Sequence, residues 1–116
     1  MDDGQPIFLQ VAQRLEAGIL DGSFPEEEPV PSINELATFY RINPATALKG
    51  VNVLVDEELL YKRRGVGMFV AAGARGRLLA QRREEFAARH IRPMLAAATE
   101  LGITTDEITT LMERES

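Results

Sequence analysis

The side chains with the clearest chemical potential are basic, and they are concentrated in one part of the chain. Residues 62–92 contain nine Lys and Arg and two acidic residues, whereas residues 1–61 carry a net charge of −8 and residues 93–116 a net charge of −4. At the start of this basic block, Lys62-Arg63-Arg64 is followed directly by Gly65-Val66-Gly67. Two interpretations are open: the block is either a solvated basic face or a surface that attracts an anionic partner.

Side chains suited to catalysis or metal binding are scarce. The 116 residues include no cysteine and one histidine, His90. The lack of cysteine excludes a thiolate zinc site and a cysteine nucleophile, and a single histidine leaves little for acid–base chemistry. We therefore expect a protein that is not an enzyme and that needs no metal and no cofactor. We interpret His90 as a hydrogen-bonded residue in a helix interface.

The first residues and the hydropathy pattern favour a cytoplasmic protein. The chain begins Met1-Asp2-Asp3-Gly4, which is acidic, whereas a secretory signal begins with a basic region. No apolar run approaches the roughly 20 residues that a membrane helix needs. We therefore expect no membrane partner.

The elements that must position the basic residues begin with two predicted helices. Apolar residues recur at every fourth position between Pro6 and Gly22, which predicts an amphipathic helix. Ser32 and Glu35 have the spacing of a capping box, so a second, short helix should start at Ser32 and run to about Tyr40.

A third helix is predicted to begin at Asn43, which suits the N-cap, with Pro44 at the first helical position. Helical spacing turns Ala47, Val51 and Leu54 inward. The residues left outside are Ala45, Thr46, Leu48, Lys49 and Asn52.

A basic hairpin follows the third helix. Residues 59–62 and 68–70 read as two short strands, and Arg63-Arg64-Gly65-Val66-Gly67 joins them. The two glycines can supply the positive φ that a hairpin turn needs.

The rest of the chain predicts two further helices. Residues 77–101 favour one long helix, which Pro93 should kink or divide and which Gly102 should end. Thr104 or Thr105, with the acidic residues after it, opens the last helix.

Apolar residues on these two helices form a stripe larger than a lone helix pair could bury, and we expect it to be a dimer interface. The predicted interface residues are Leu79, Phe86, Met94, Ala97, Leu101, Ile108 and Leu111. An open alternative is that Phe86, His90 and Met94 line a pocket for a small apolar or neutral effector. If no effector exists, protein concentration alone would control the monomer–dimer equilibrium. The arginines of the long helix are equally consistent with a solvated face and with ion pairs to a second subunit: Arg77, Arg82, Arg83 and Arg89.

Three helices followed by a glycine-tipped basic hairpin form a winged helix-turn-helix, so the predicted fold class is α+β, with two C-terminal helices after the winged domain. Residues 6–71 resemble the DNA-binding domain of the GntR family of bacterial transcription regulators. The matching stretches are Pro31-Ser32, Glu35-Leu36-Ala37, Asn43-Pro44-Ala45-Thr46-Ala47 and residues 61–70. The short remainder resembles the YtrA subfamily, in which two helices after the DNA-binding domain make the dimer.

The resemblance implies three regions and a set of DNA-facing positions. Residues 1–71 would be the DNA-binding domain, 72–76 a linker and 77–116 a helical dimerisation region. The wing tip at Gly65 and Gly67 would enter the minor groove. Phosphates also attract basic side chains, and the start of the third helix should present free backbone N–H groups. The predicted DNA-binding residues are Ser32, Asn34, Asn43, Ala45, Thr46, Lys49, Lys62, Arg63, Arg64, Gly65 and Gly67.

Taken together, these features predict a dimeric, sequence-specific regulator of transcription, a repressor that binds a double-stranded DNA operator. The third helix would enter the major groove and the wing would lie on the minor groove. The alternative is a winged-helix module that binds protein through the acidic residues 1–61 and the exposed Leu48.

Overall fold

The computed structural model describes residues 4–116 and divides them into two compact units. We call the described residues up to Leu79 the winged domain and residues 80–116 the C-terminal unit. The elements are α1 (Ile7–Asp21), α2 (Ile33–Tyr40), α3 (Pro44–Asp56), β1 (Leu60–Arg63), β2 (Gly67–Val70), α4 (Ala74–Phe86), a π-helical turn (Ala87–Ile91), α5 (Arg92–Glu100) and α6 (Thr105–Glu115). This order confirms the predicted α+β fold class.

The core of the winged domain lies mainly between α1 and α3. A Cβ on Gly50 would lie 2.8 Å from the Phe8 carbonyl oxygen and 2.9 Å from the Val11 Cβ, so only glycine permits this close approach. Apart from Ile7 at the start of α1, which is 46% exposed, the apolar positions predicted to face inward are buried, which confirms the helical periodicity. The fully buried core side chains include Val11, Leu15, Ile19, Ala47, Val51, Leu54, Leu59, Leu60, Val70 and Leu78.

Two predicted N-caps set the starts of α2 and α3. The Ser32 hydroxyl accepts a hydrogen bond from the Glu35 N–H at 3.1 Å, and the Glu35 carboxylate accepts one from the Ser32 N–H at 2.9 Å. The Asn43 Oδ1 accepts from the Ala45 N–H at 2.8 Å. The capping box and the Asn43 cap are both confirmed.

The wing is a hairpin with a short third partner. β1 and β2 are antiparallel, with Leu60 opposite Val70 at the base and Arg63 opposite Gly67 at the tip. Gly65 and Gly67 have φ of 75° and 143°, as the predicted turn requires. The loop between α1 and α2 contains Glu26, Glu27 and Glu28, and we call it the acidic loop. It also joins the hairpin, because the Val30 N–H that follows these residues donates to the Met68 carbonyl at 2.9 Å. No sequence pattern predicted this pairing.

The predicted linker at residues 72–76 is partly wrong, because α4 already begins at Ala74. Ala74 and Leu78 are fully buried in the core of the winged domain, so burial holds this turn in a helix. Arg75 Nε also donates to the Leu20 carbonyl at 2.9 Å.

Arg77 corrects a second expectation. Its guanidinium donates to the Glu58 carbonyl at 2.7 Å and to the Ala72 carbonyl at 3.0 Å. Arg77 therefore makes hydrogen bonds inside the winged domain and stabilises it. Neither of the two sequence interpretations of Arg77 predicted this role. Glu58 has a φ of 61°, and the bond from Arg77 helps to hold this left-handed residue in place.

The C-terminal unit contains the end of α4, the π-helical turn, α5 and α6. The Arg92 N–H donates to the Ala87 carbonyl, five residues back, immediately before Pro93. Pro93 has no N–H for a normal helical bond, and the widened turn accommodates it. The sequence predicted that Pro93 would kink or divide the long helix, and the π-helical turn does separate α4 from α5. Thr104 and Glu107 form a second capping box at the start of α6. Among residues 4–116, no helix has the length and apolarity needed to span a bilayer.

Candidate nucleic-acid interface

The outward face of α3 is available to a partner. Ala45, Leu48, Lys49 and Asn52 are exposed and Thr46 is half-buried, whereas the opposite face packs into the core. The outward set is the one that helical spacing predicted. This face therefore has no structural role in the core of the winged domain.

The Lys49 side chain of this face turns toward α1. Its Nζ is 4.1 Å from the centroid of the Phe8 ring on α1, a cation–π contact that draws the ammonium toward α1. This position suits a phosphate at the edge of a groove better than a base in its centre.

The start of α3 does not present the free N–H groups that the sequence led us to expect. Pro44 has no N–H, the Ala45 N–H is bonded to Asn43 Oδ1, and the Thr46 N–H donates to the Asn43 carbonyl at 2.9 Å. The Asn43 cap that starts the helix therefore occupies the Ala45 and Thr46 donors that were expected to be free.

The start of α2 does offer such donors. Within the described part of the chain, the N–H groups of Ile33 and Asn34 have no acceptor, since the capping box uses only those of Ser32 and Glu35. Ser32 and Asn34 are exposed beside them. A phosphate at this point would also meet the positive end of the α2 dipole.

The wing carries its basic side chains on a braced hairpin. Lys62, Arg63 and Arg64 are all exposed. The Arg63 guanidinium lies 4.7 Å from the centroid of the Phe69 ring, and that ring stacks on Tyr61 with a centroid separation of 6.0 Å. The aromatic pair therefore holds Arg63 on one face of the hairpin, next to the turn.

Charge is segregated along the wing. The acidic loop meets the hairpin at its base, where the Glu27 N–H donates to the Val70 carbonyl at 2.8 Å. The Tyr61 hydroxyl donates to the Glu27 carboxylate at 2.7 Å, and this bond raises the pKa of Tyr61. The base is thus acidic and the tip basic, so an anionic partner is attracted to the tip.

The C-terminal unit contains an apolar groove of about 500 Å³. Five of the seven predicted interface residues line it: Met94, Ala97, Leu101, Ile108 and Leu111. Ile108 is already buried within the unit, whereas the Leu101 side chain is 74% exposed. Leu79 and Phe86 lie outside the lining of this groove.

Phe86, His90 and Met94, the residues predicted to form an effector pocket, differ in their surroundings. The Phe86 and His90 rings lie 5.4 Å apart, centroid to centroid, but only Met94 lines the C-terminal groove. The winged domain has a larger groove of about 720 Å³, which was not predicted from the sequence. Its lining includes Arg14, Leu15, Phe24, Asn34, Phe39 and Tyr40. Phe39 comes from the exposed side of α2. A large apolar residue at an outward position of this helix was the sequence signal that could have indicated the groove.

A helix-turn-helix with an exposed second helix and a basic hairpin defines the class of winged helix-turn-helix proteins. The profile of "Bacterial regulatory proteins, gntR family" matches residues 8–70. The chain therefore belongs to the GntR family.

Similar proteins agree with this membership. The chain is 31% identical over 74 residues to the transcriptional repressor YtrA of Bacillus subtilis, a stretch that covers 64% of this chain and 57% of YtrA. The chain also matches the longer transcriptional repressor NagR of Bacillus subtilis, and the matched stretch covers 27% of the length of NagR. A GntR-family crystal structure from Bacteroides thetaiotaomicron is 32% identical and has a TM-score of 0.76, with 95% of this chain and 99% of that chain covered. The AraR DNA-binding domain in complex with an operator is 30% identical, with a TM-score of 0.58, and covers 61% of this chain and 86% of that chain.

Proposed function

We propose that this protein is a cytoplasmic, dimeric repressor that binds a specific DNA operator, with α3 in the major groove and the wing on the minor groove. The observation that carries the proposal is the exposed face of α3, which the winged domain does not use in its own core. The likeness of this domain to AraR, which was solved with an operator, supports the same use of the face.

The proposed contacts divide by chemistry. The N–H groups at the start of α2 and the Ser32 hydroxyl would bind one phosphate, while Lys49 would approach another from the edge of α3. Base edges would be read by Asn34 and Thr46, with Asn43 and Ala45 lying near them at the start of α3. The wing would contribute Lys62, Arg63 and Arg64 to phosphates and the compact Gly65 and Gly67 to the narrow minor groove.

The proposed dimer forms through the apolar groove of the C-terminal unit. A second copy would cover exposed side chains such as Leu101, whose transfer out of water is favourable. Two identical domains related by a two-fold axis would then read two half-sites, so the operator is expected to be palindromic.

A small effector near Phe86, His90 and Met94 remains a prediction. A thermal-shift screen of metabolites, followed by operator-release assays on each hit, tests it. If no compound both stabilises the protein and changes operator affinity, regulation by protein concentration is favoured.

The test of DNA binding compares two kinds of variant on a site selected from random DNA. Thr46→Ala should relax the preference at particular base pairs by about 1–3 kcal/mol, because it removes a base contact. Arg64→Ala should weaken binding to every sequence and reduce the salt slope, because it removes a phosphate contact.

Arg114→Ala is the matched control, since Arg114 is an exposed basic residue at the end of α6. It should change neither base preference nor salt slope. Binding that does not respond to salt or to the Thr46 and Arg64 changes would contradict the proposal and favour the protein-binding alternative.

A further inference from the structure

We propose that Leu48 is a specificity-determining residue that selects thymine by packing on its methyl group in the major groove. The inference rests on the proposed function, because it assumes that α3 lies in that groove. In this proposal an apolar side chain discriminates between bases, a role that hydrogen-bonding side chains usually have.

The polar side chains of α3 leave part of its outward face to an apolar residue. The sequence of α3 contains no arginine, which is the side chain that most often recognises guanine. Lys49 is drawn toward the Phe8 ring, and Thr46 is half-buried. Leu48 is 47% exposed, and its nearest neighbours on the face are Ala45, one turn before it, and Asn52, one turn after it.

A single exposed leucine needs no explanation by itself, since much of any protein surface is apolar. The position of Leu48 is what gives it meaning. Residues that line the apolar groove of the winged domain come from α1, α2 and the segment between them. Leu48 is therefore not part of that groove, and its exposed methyl groups belong to the face proposed to meet DNA.

The methyl group of thymine is the one apolar feature that a base pair shows in the major groove, and Ala and other apolar side chains contact it. Ala45 and Leu48 are three residues apart, a rise of about 4.5 Å along the helix. Base pairs are stacked about 3.4 Å apart. Side chains at this spacing can reach methyl groups on neighbouring base pairs, so the proposal predicts closely spaced thymines in each half-site.

The experiment removes the methyl group from the DNA and its partner from the protein. Duplex sites are selected with the full-length protein from a random pool, and each thymine of a half-site is then replaced in turn by deoxyuridine. Loss of a buried methyl group should raise Kd about four-fold at one or two positions for the wild-type protein. In Leu48→Ala, deoxyuridine at one of those positions should no longer matter.

Two further variants make the result specific. Leu48→Met keeps an apolar side chain of similar size and should retain the sensitivity to deoxyuridine. Phe39→Ala removes another strongly exposed apolar side chain, 78% exposed and outside α3, and should behave as the wild type. Thermal unfolding of each variant verifies that it is folded, which is expected because both side chains are exposed.

The outcomes separate this inference from the proposed function. Selection of a site with no thymine effect, or an effect that Leu48→Ala leaves unchanged at every position, overturns the role of Leu48 while the repressor proposal stands. Failure to select any DNA sequence overturns both.

Discussion

The winged domain and the C-terminal unit have similar local signals but very different burial. Each region contains a helix that starts with a capping box. The box is formed by Ser32 and Glu35 in the winged domain and by Thr104 and Glu107 in the C-terminal unit. The winged domain encloses a core in which Leu54 is fully buried, whereas the described C-terminal unit buries only Ala98 and Ile108. Local helix signals therefore do not determine whether a region can bury its own apolar surface.

This difference assigns different roles to the two regions. A domain with a closed core can present a polar and basic face without needing a partner to fold. A helical unit that leaves large apolar side chains in water gains free energy when a second copy covers them. We therefore expect the first region to recognise DNA and the second to set the assembly state.

Truncation after Leu79 should give the largest effect in this comparison of the two regions. The shortened protein keeps Leu78, which is fully buried, so it should fold as a monomer. A cut after Ala74, at the predicted linker, would remove that core residue. Operator affinity should fall by about 10²–10⁴-fold because the second half-site no longer adds its binding free energy. Sedimentation and operator titration measure both effects, and a truncated protein that sediments as a stable dimer would contradict the division of roles.

Two leucine truncations, one in each region, should separate folding from assembly. Leu54→Ala creates a cavity in a closed core and should lower the free energy of unfolding by about 2–5 kcal/mol. Leu101→Ala removes an exposed side chain and should change the stability of the isolated chain by less than about 0.5 kcal/mol. Denaturant titration gives the stabilities, and sedimentation of Leu101→Ala should show weaker dimerisation. Equal loss of stability in the two variants would mean that the C-terminal unit has a closed core too.

The two capping boxes provide a smaller comparison. Ser32→Ala should destabilise the winged domain by about 1 kcal/mol, because the Glu35 N–H loses its acceptor. Thr104→Ala removes the equivalent bond to the Glu107 N–H but should mainly fray α6, since that helix has little core to transmit the loss. Hydrogen exchange of amides in α2 and α6 distinguishes global from local opening. Thr104→Ala that lowers the stability of the whole chain as much as Ser32→Ala would argue against this distinction.

The smallest expected effect is a pH dependence of the first capping box. Hydrogen bonds from the Ser32 N–H and then from its hydroxyl hold the pKa of Glu35 below its ordinary value of 4.5. A lowered pKa in the folded state means that Glu35 stabilises the fold above the unfolded pKa and loses this contribution as the pH falls through the folded pKa. The difference in unfolding free energy between wild type and Glu35→Gln should therefore be constant near neutral pH and diminish in acid. A difference that stays constant down to pH values below the folded pKa would exclude this linkage.

Much of the fold could be read from local patterns. Four-residue spacing predicted α1, the Ser-x-x-Glu and Asn-Pro signals placed the starts of α2 and α3, and the two glycines predicted the turn of the wing. These signals act between residues close in sequence, so they can be recognised without the fold. Helical spacing alone also identified the outward face of α3.

The errors concern contacts between residues far apart in sequence. Nothing local shows that Leu78 belongs to the core, that Arg77 bonds the Glu58 carbonyl, or that Val30 pairs with the wing. The predicted linker and the two interpretations of Arg77 failed for this reason. The donors of the α3 N-terminus were misjudged because a good N-cap and a free phosphate site compete for the same N–H groups.

The sequence by itself determined the helices, the hairpin turn, the segregation of charge and the family, because each depends on residue types at fixed short spacings. The tertiary structure alone decided which side chains remain in solvent after the core has formed. It drew Lys49 toward Phe8 and left the C-terminal groove open. The physical reason is that burial depends on the packing of distant segments, which short-range spacing does not encode.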